Sequence, residues 1–194
     1  MTRGRPRQFD ADAALNRAMQ LFWRKGYEGT SLSDLTRAMN INRPSLYAAF
    51  GNKKNLFKSA IDRYSNGPAC YFAAALKAPT ARKVAEGLLR GTVDVATCPK
   101  NPRGCMIVQA ALASSSDANP IRKALISRRQ TGEAAIRRRF QKARAQGDLP
   151  KSANPADLAR YLNTLIHGLA VQAASGATRP QLLRVVRAAL KKFP

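Results

Sequence analysis

Leu35-Thr36-Arg37-Ala38-Met39-Asn40-Ile41-Asn42-Arg43-Pro44-Ser45-Leu46-Tyr47-Ala48-Ala49-Phe50 decides how the chain folds. Two short helices held at a steep angle need a tight turn, a residue between them that tolerates φ > 0, and apolar side chains on both sides. Asn40 is the non-glycine residue that best accepts a left-handed conformation, because its short polar side chain bonds locally. Leu35, Ile41, Leu46 and Phe50 supply a small core, and compact Thr36 lets the two helices approach. Asn42 caps the second helix, Pro44 lies in its first turn, and Gly51 follows its last residue. The second helix presents polar Arg43 and Ser45 first, the shape of a helix that enters a groove.

Outward from this stretch the pattern stays helical. Apolar residues recur at three and four, and no β-branched alternation bounded by hairpin turns occurs. A first helix is predicted from about Ala11 to Lys25, with Asp10 as N-cap, Leu15, Ala18 and Phe22 on one face, Gly26 in a left-handed C′ position and Tyr27 folding back on the last turn. Ser31 and Asp34 form a capping box before the helix that ends near Met39. A fourth helix runs from Lys53 to about Ser65. Beyond Asn66-Gly67-Pro68, helices are placed at about 68–77, 81–97, 104–114, 120–146, 155–175 and 180–192, several with Pro at or beside the first position. The expectation is an all-α chain of about nine helices: a basic arm at 1–8, a three-helix helix-turn-helix unit at 9–52, a connecting helix at 53–66, and a larger helical domain at 67–194.

Lys and Arg number 34 against 11 acidic residues, a formal charge of +23. Nucleic acid is therefore the first candidate partner. The excess is not confined to the motif, since residues 1–66 carry 12 basic and 5 acidic side chains and residues 67–194 carry 22 and 6. A basic surface that only keeps the chain soluble is the alternative. Cys70, Cys98 and Cys105 are an odd set with no CxxC pair, and no apolar run approaches the roughly 18 residues of a membrane span. A reduced, cytoplasmic, nucleoid-associated protein with no membrane partner is expected. With one histidine and no phosphate loop, no Ser-His-Asp, Cys-His or paired-acid constellation exists from which to argue catalysis.

Gly26-Tyr27-Glu28-Gly29-Thr30-Ser31 and Pro44-Ser45-Leu46-Tyr47-Ala48-Ala49-Phe50-Gly51-Asn52-Lys53-Lys54-Asn55-Leu56-Phe57 resemble the TetR family signature closely. Thr36 and Asn40 stand where the family commonly has Ala and Gly, and Ala48 and Ala49 stand where aromatic or His residues are common. Gly4-Arg5-Pro6, Phe9-Asp10, Asp62-Arg63-Tyr64, Gly104-Cys105 and the Gly147 to Pro150 turn resemble the family branch containing the copper-responsive ComR repressor. The resemblance implies a ligand-relieved repressor that binds a palindromic operator in double-stranded DNA as a homodimer. A non-specific architectural DNA protein is the rival reading.

On this likeness, Thr30, Ser45, Tyr47 and Lys53 match phosphate-contacting positions, and Lys53 also opens a helix whose N-terminus favours an anion. Asn42 and Pro44 are further candidate DNA contacts. Arg43 is the candidate for a base-edge contact, since Arg can bridge guanine O6 and N7, with a phosphate contact as the alternative. For Tyr47 the alternative is packing inside the motif. Arg5, in the arm Arg3-Gly4-Arg5-Pro6-Arg7, either lies in a neighbouring minor groove or adds non-specific affinity.

The family places its dimer contact on the last two helices. Leu158, Leu162, Leu165, Ile166, Leu169 and Ala173, with Leu182, Leu183, Val186, Ala189 and Leu190, make apolar faces wider than one domain's core needs. The family's larger domain holds a small-molecule effector, for which Tyr71, Phe72, Leu89, Val93, Met106, Gln109 and Phe140 are candidate lining or simply core. Arg129 shares the inward face of Leu125, Gly132, Ile136, Phe140 and Ala143, so it pairs with an anionic ligand, meets an internal carboxylate, or snorkels to solvent. Cys98, Cys105, Met106 and His167 admit a thiol-sensing or copper reading beside that of buried structural residues, but their spacing matches no recognised metal pattern. No metal or cofactor is assigned.

Overall fold

A computed structural model describes residues 9–109 and 119–194. Ten helices and no strand occur among them: α1 Ala11–Lys25, α2 Leu32–Met39, α3 Arg43–Phe50, α4 Lys53–Asn66, α5 Tyr71–Ala75, α6 Ala81–Ala96, α7 Met106–Gln109, α8 Asn119–Ala145, α9 Pro155–Ala174 and α10 Arg179–Lys191. The all-α expectation holds, and most boundaries fall within a residue of the sequence-based ones. The short α5 replaces the longer span placed at 68–77. The helix expected at 104–114 starts at Met106, and its positions 110–114, like the arm with Arg5, lie outside the described residues.

Local chemistry fixes the first four helices. The Asp10 carboxylate accepts from the Asp12 and Ala13 amides, Ser31 and Asp34 exchange both bonds of a capping box, and the Asn52 side chain accepts from the Asn55 amide. Such caps stabilise a helix end by about 1 kcal/mol each. Gly26, at φ 72°, ends α1 and turns Tyr27 back over it, 6.4 Å from the Phe22 ring and 5.1 Å from Phe57.

Two apolar cores result. The first joins α1 to α4 through Phe22, Trp23, Leu35, Met39, Leu46, Leu56, Phe57 and Tyr64, and takes in Met106, Ile121 and Leu125 from α7 and the start of α8. Phe22 meets Phe57, and Trp23 meets Tyr64, edge to face with centroids 4.9 and 4.7 Å apart. The second core is built from α6, the far half of α8, α9 and α10, closed by Leu149 and Phe193. α8 therefore spans both, and an ion pair between Arg128 and Asp62, with Arg128 also donating to Ser65 Oγ, ties it to α4.

This packing corrects the dimer-face expectation. Leu162, Leu169, Leu182, Val186 and Leu190 are buried in the chain's own second core, and Leu158 and Leu165 are half-buried against it. The face looked too wide for one domain because α6 and α8 both pack on it. The large apolar side chains that α9 and α10 leave outside are Tyr161, Val171 and Val185, 41, 40 and 46% exposed.

Candidate nucleic-acid interface

The turn between α2 and α3 carries the site. Asn40 adopts φ 56° and ψ 47°, as its position requires. The amides of Asn40 and Ile41 reach back to the carbonyls of Arg37 and Thr36 at 3.3 and 3.1 Å, closing α2 in a Schellman motif. Two residues later the Asn42 side chain accepts from the Ser45 amide at 2.8 Å, so α3 starts at once with Pro44 in its first turn. Leu46 is wholly buried and anchors α3, while Ile41 and Phe50 cover the edges of the core half-buried.

That anchoring leaves the rest of α3 outside. Asn42, Arg43, Pro44, Tyr47, Ala48 and Ala49 are exposed and Ser45 is half-exposed. Tyr47 is 46% exposed, which decides against packing inside the motif. Arg43 Nη2 donates to Ser33 Oγ on α2 at 3.1 Å, leaving four of its five N–H groups for other acceptors. Sequence reasoning missed Ser33, whose only signal is its place on the exposed side of α2.

Lys53 opens α4 with its ammonium 4.4 Å from the Tyr27 ring centroid. Burial against that ring pulls the Lys53 pKa below the ordinary lysine value, and Glu28 partly offsets this. A phosphate would favour the charged form of this ammonium, which stands in a cation–π contact at a helix N-terminus. Thr30 is a correction. It is fully buried, and its hydroxyl donates to the Gly26 carbonyl at 2.7 Å, so it braces the loop before α2 and its side chain does not stand on this face.

Among the described residues the effector candidates are divided between the two cores. Met106 is buried in the first core and Phe140 in the second, 5.7 Å centroid to centroid from Phe193. The Tyr71 hydroxyl meets Thr92 Oγ1 at 3.0 Å, and burial pushes its pKa well up. Phe72 packs on the second core, and Gln109 lies beside Gly104. Arg129 is half-buried and faces α9. Burial and Arg129 hold the His167 pKa below its ordinary value, while Glu133, which accepts from Arg160 Nε at 2.7 Å and Asn163 Nδ2 at 3.1 Å, opposes them. Cys105 Sγ accepts from the Tyr64 hydroxyl at 3.3 Å. Among the described residues no three His, Cys, Asp or Glu side chains are grouped to hold a metal ion, and no helix is long and apolar enough to cross a membrane.

The sequence model "Bacterial regulatory proteins, tetR family" matches residues 14–60, around the motif, and "Tetracyclin repressor-like, C-terminal domain" matches residues 85–190. The chain belongs to the TetR family. Over its full length this TetR-family chain is 35% identical to the HTH-type transcriptional repressor ComR of Escherichia coli K12, covering 93% of ComR. It is 29% identical to the repressor BdcR of the same organism, over 92% of the chain and 86% of BdcR. A solved TetR family regulator, a CifR cysteine mutant complexed with 26bp double-strand operator DNA, superposes with a TM-score of 0.94 at 43% identity, covering 98% of this chain and 100% of that one.

Proposed function

We propose that this chain is a transcriptional repressor that binds a palindromic operator as a homodimer and leaves it when a small-molecule effector is bound. The observation that carries the reading is α3: anchored by buried Leu46 with Phe50 at the edge of the core, it turns Arg43 and Tyr47, one turn apart, outward behind an N-terminus capped by Asn42. On the duplex, Ser45, Tyr47 and Lys53 hold phosphates and set register, Asn42 and Pro44 fix the angle of entry, and Arg43 reads a guanine edge. ComR and BdcR, both named repressors, support repression. The organisation proposed is an arm at 1–8, a reading unit at 9–52, α4 as connector, and an effector and dimer domain at 67–194.

Selection of sites from random duplexes tests the reading. The expected product is a palindrome whose half-site centres are separated by whole helical turns, bound about 10³-fold more tightly than random DNA. Equal binding to all duplexes would instead identify an architectural DNA protein.

A further inference from the structure

Most of the positive charge is not where α3 needs it. Residues 67–194 carry 22 basic and 6 acidic side chains, whereas a net charge of about 2 to 8 keeps a small domain soluble. Surplus like charge also repels itself and lowers stability.

Part of this surplus lies at the end of the second core farthest from α3. Arg139 Nη2 donates to the carbonyls of Ala78 and Pro79 at 2.8 and 3.0 Å, the Ala81 amide to Asp148 Oδ2 at 2.6 Å, and Arg82 Nη1 to the Phe193 carbonyl at 3.0 Å. These bonds tie together the start of α6, the last turns of α8, the turn after it and the end of α10. Lys83, Arg138, Lys142, Lys191 and Lys192 stand exposed on these segments, and none forms an ion pair with a described carboxylate. Of the nearby acids, Asp148 is held by the Ala81 amide, Glu86 is paired with Arg90, and Asp157 lies at the start of α9.

Distance separates this end from the operator face. Val95 late in α6, and Ile121 and Leu125 early in α8, pack on the first core. Lys142 lies about 25 Å along α8 from Leu125 at 1.5 Å per residue. Screening acts over about 10 Å at ordinary ionic strength, so these charges add little to a duplex held at α3.

We infer that this far end is a second polyanion-binding surface, which takes the phosphate backbone of a second DNA segment without sequence preference while α3 holds the first. The inference rests on the operator reading of α3. An anionic membrane is the poorer fit, because among the described residues the large exposed apolar side chains are Tyr47, Tyr161, Val171 and Val185, none on these segments, and a surface-bound helix needs an apolar face to bury. A dimer on its operator is surrounded by other duplex at high local concentration.

The full-length protein is saturated with its selected operator duplex, and uptake of a labelled random duplex is measured between about 50 and 200 mM salt. Wild type takes up the second duplex, with affinity falling steeply as salt rises. The combined variant Lys83→Gln, Arg138→Gln, Lys142→Gln and Lys191→Gln keeps its operator affinity within about twofold and loses second-duplex uptake by about tenfold or more. The inference is overturned if operator-saturated wild type takes up no second duplex, if the combined variant takes it up equally well, or if phosphatidylglycerol vesicles bind this end in preference to duplex. Arg43→Ala with Tyr47→Ala separates the two readings: loss of operator binding with retained random-duplex binding supports both, unchanged operator binding sinks the α3 reading and the inference's premise with it, and failed second-duplex uptake by operator-saturated wild type sinks the inference alone.

Discussion

Asn40 carries the tightest local demand in the motif. An L-residue with a full side chain pays about 1 to 2 kcal/mol to enter the left-handed region, whereas Asn recovers part of this and Gly pays none. Asn40→Ala is therefore expected to lower unfolding free energy by about 1 kcal/mol, and Asn40→Gly to change it little, in urea denaturation. Equal losses from both would mean that the Asn side chain, not the backbone conformation, matters there. At Arg43 the effect is on recognition. Arg43→Ala should cost about 1 to 3 kcal/mol at one guanine position and relax selectivity there, while Lys53→Gln weakens all duplexes alike and reduces the salt slope by about 1. Binding titrations across single-base operator variants and salt concentrations separate the two, and a uniform loss from Arg43→Ala would reassign that side chain to phosphate.

The elements were most legible where the deciding interaction is short in sequence. Asp10, Ser31 with Asp34, and Asn42 each act within three residues, so the starts of α1, α2 and α3 could be read directly. Thr30 could not, because whether its hydroxyl faces a phosphate or the Gly26 carbonyl depends on how α1 and α2 meet. The same holds for α9, where periodicity found the leucine face but not that α6 and α8 would cover it. Arg129 was legible as inward-facing, yet its neighbour His167 lies 38 positions on. That neighbour gives α9 a pH dependence. Burial and Arg129 depress the His167 pKa in the folded state, so just below the ordinary histidine value the unfolded chain binds the proton better and stability falls with acidification. The thermal midpoint should drop as pH goes from 7 towards 5, and His167→Asn should flatten that drop. A parallel profile in the variant would assign the slope to other groups.

At the scale of the molecule, one α3 contacts too few base pairs for useful selectivity, so a twofold partner is needed and must sit on a face the chain does not bury itself. On α9 and α10 the large apolar side chains left exposed are Tyr161, Val171 and Val185. Obligate dimer interfaces are more apolar than ordinary surface and centre on a few large side chains. Val171→Asp with Val185→Asp should therefore convert the dimer to a monomer at micromolar concentration without loss of helicity, because neither side chain is part of the second core. Leu162→Asp, by contrast, places a carboxylate in that core and should unfold the chain. Light scattering alongside circular dichroism distinguishes these outcomes, and operator affinity of the folded monomer should fall by about 100-fold or more as each α3 loses its linked partner. If the Val171 and Val185 variant remains a dimer with normal operator affinity, the association surface lies elsewhere on the chain.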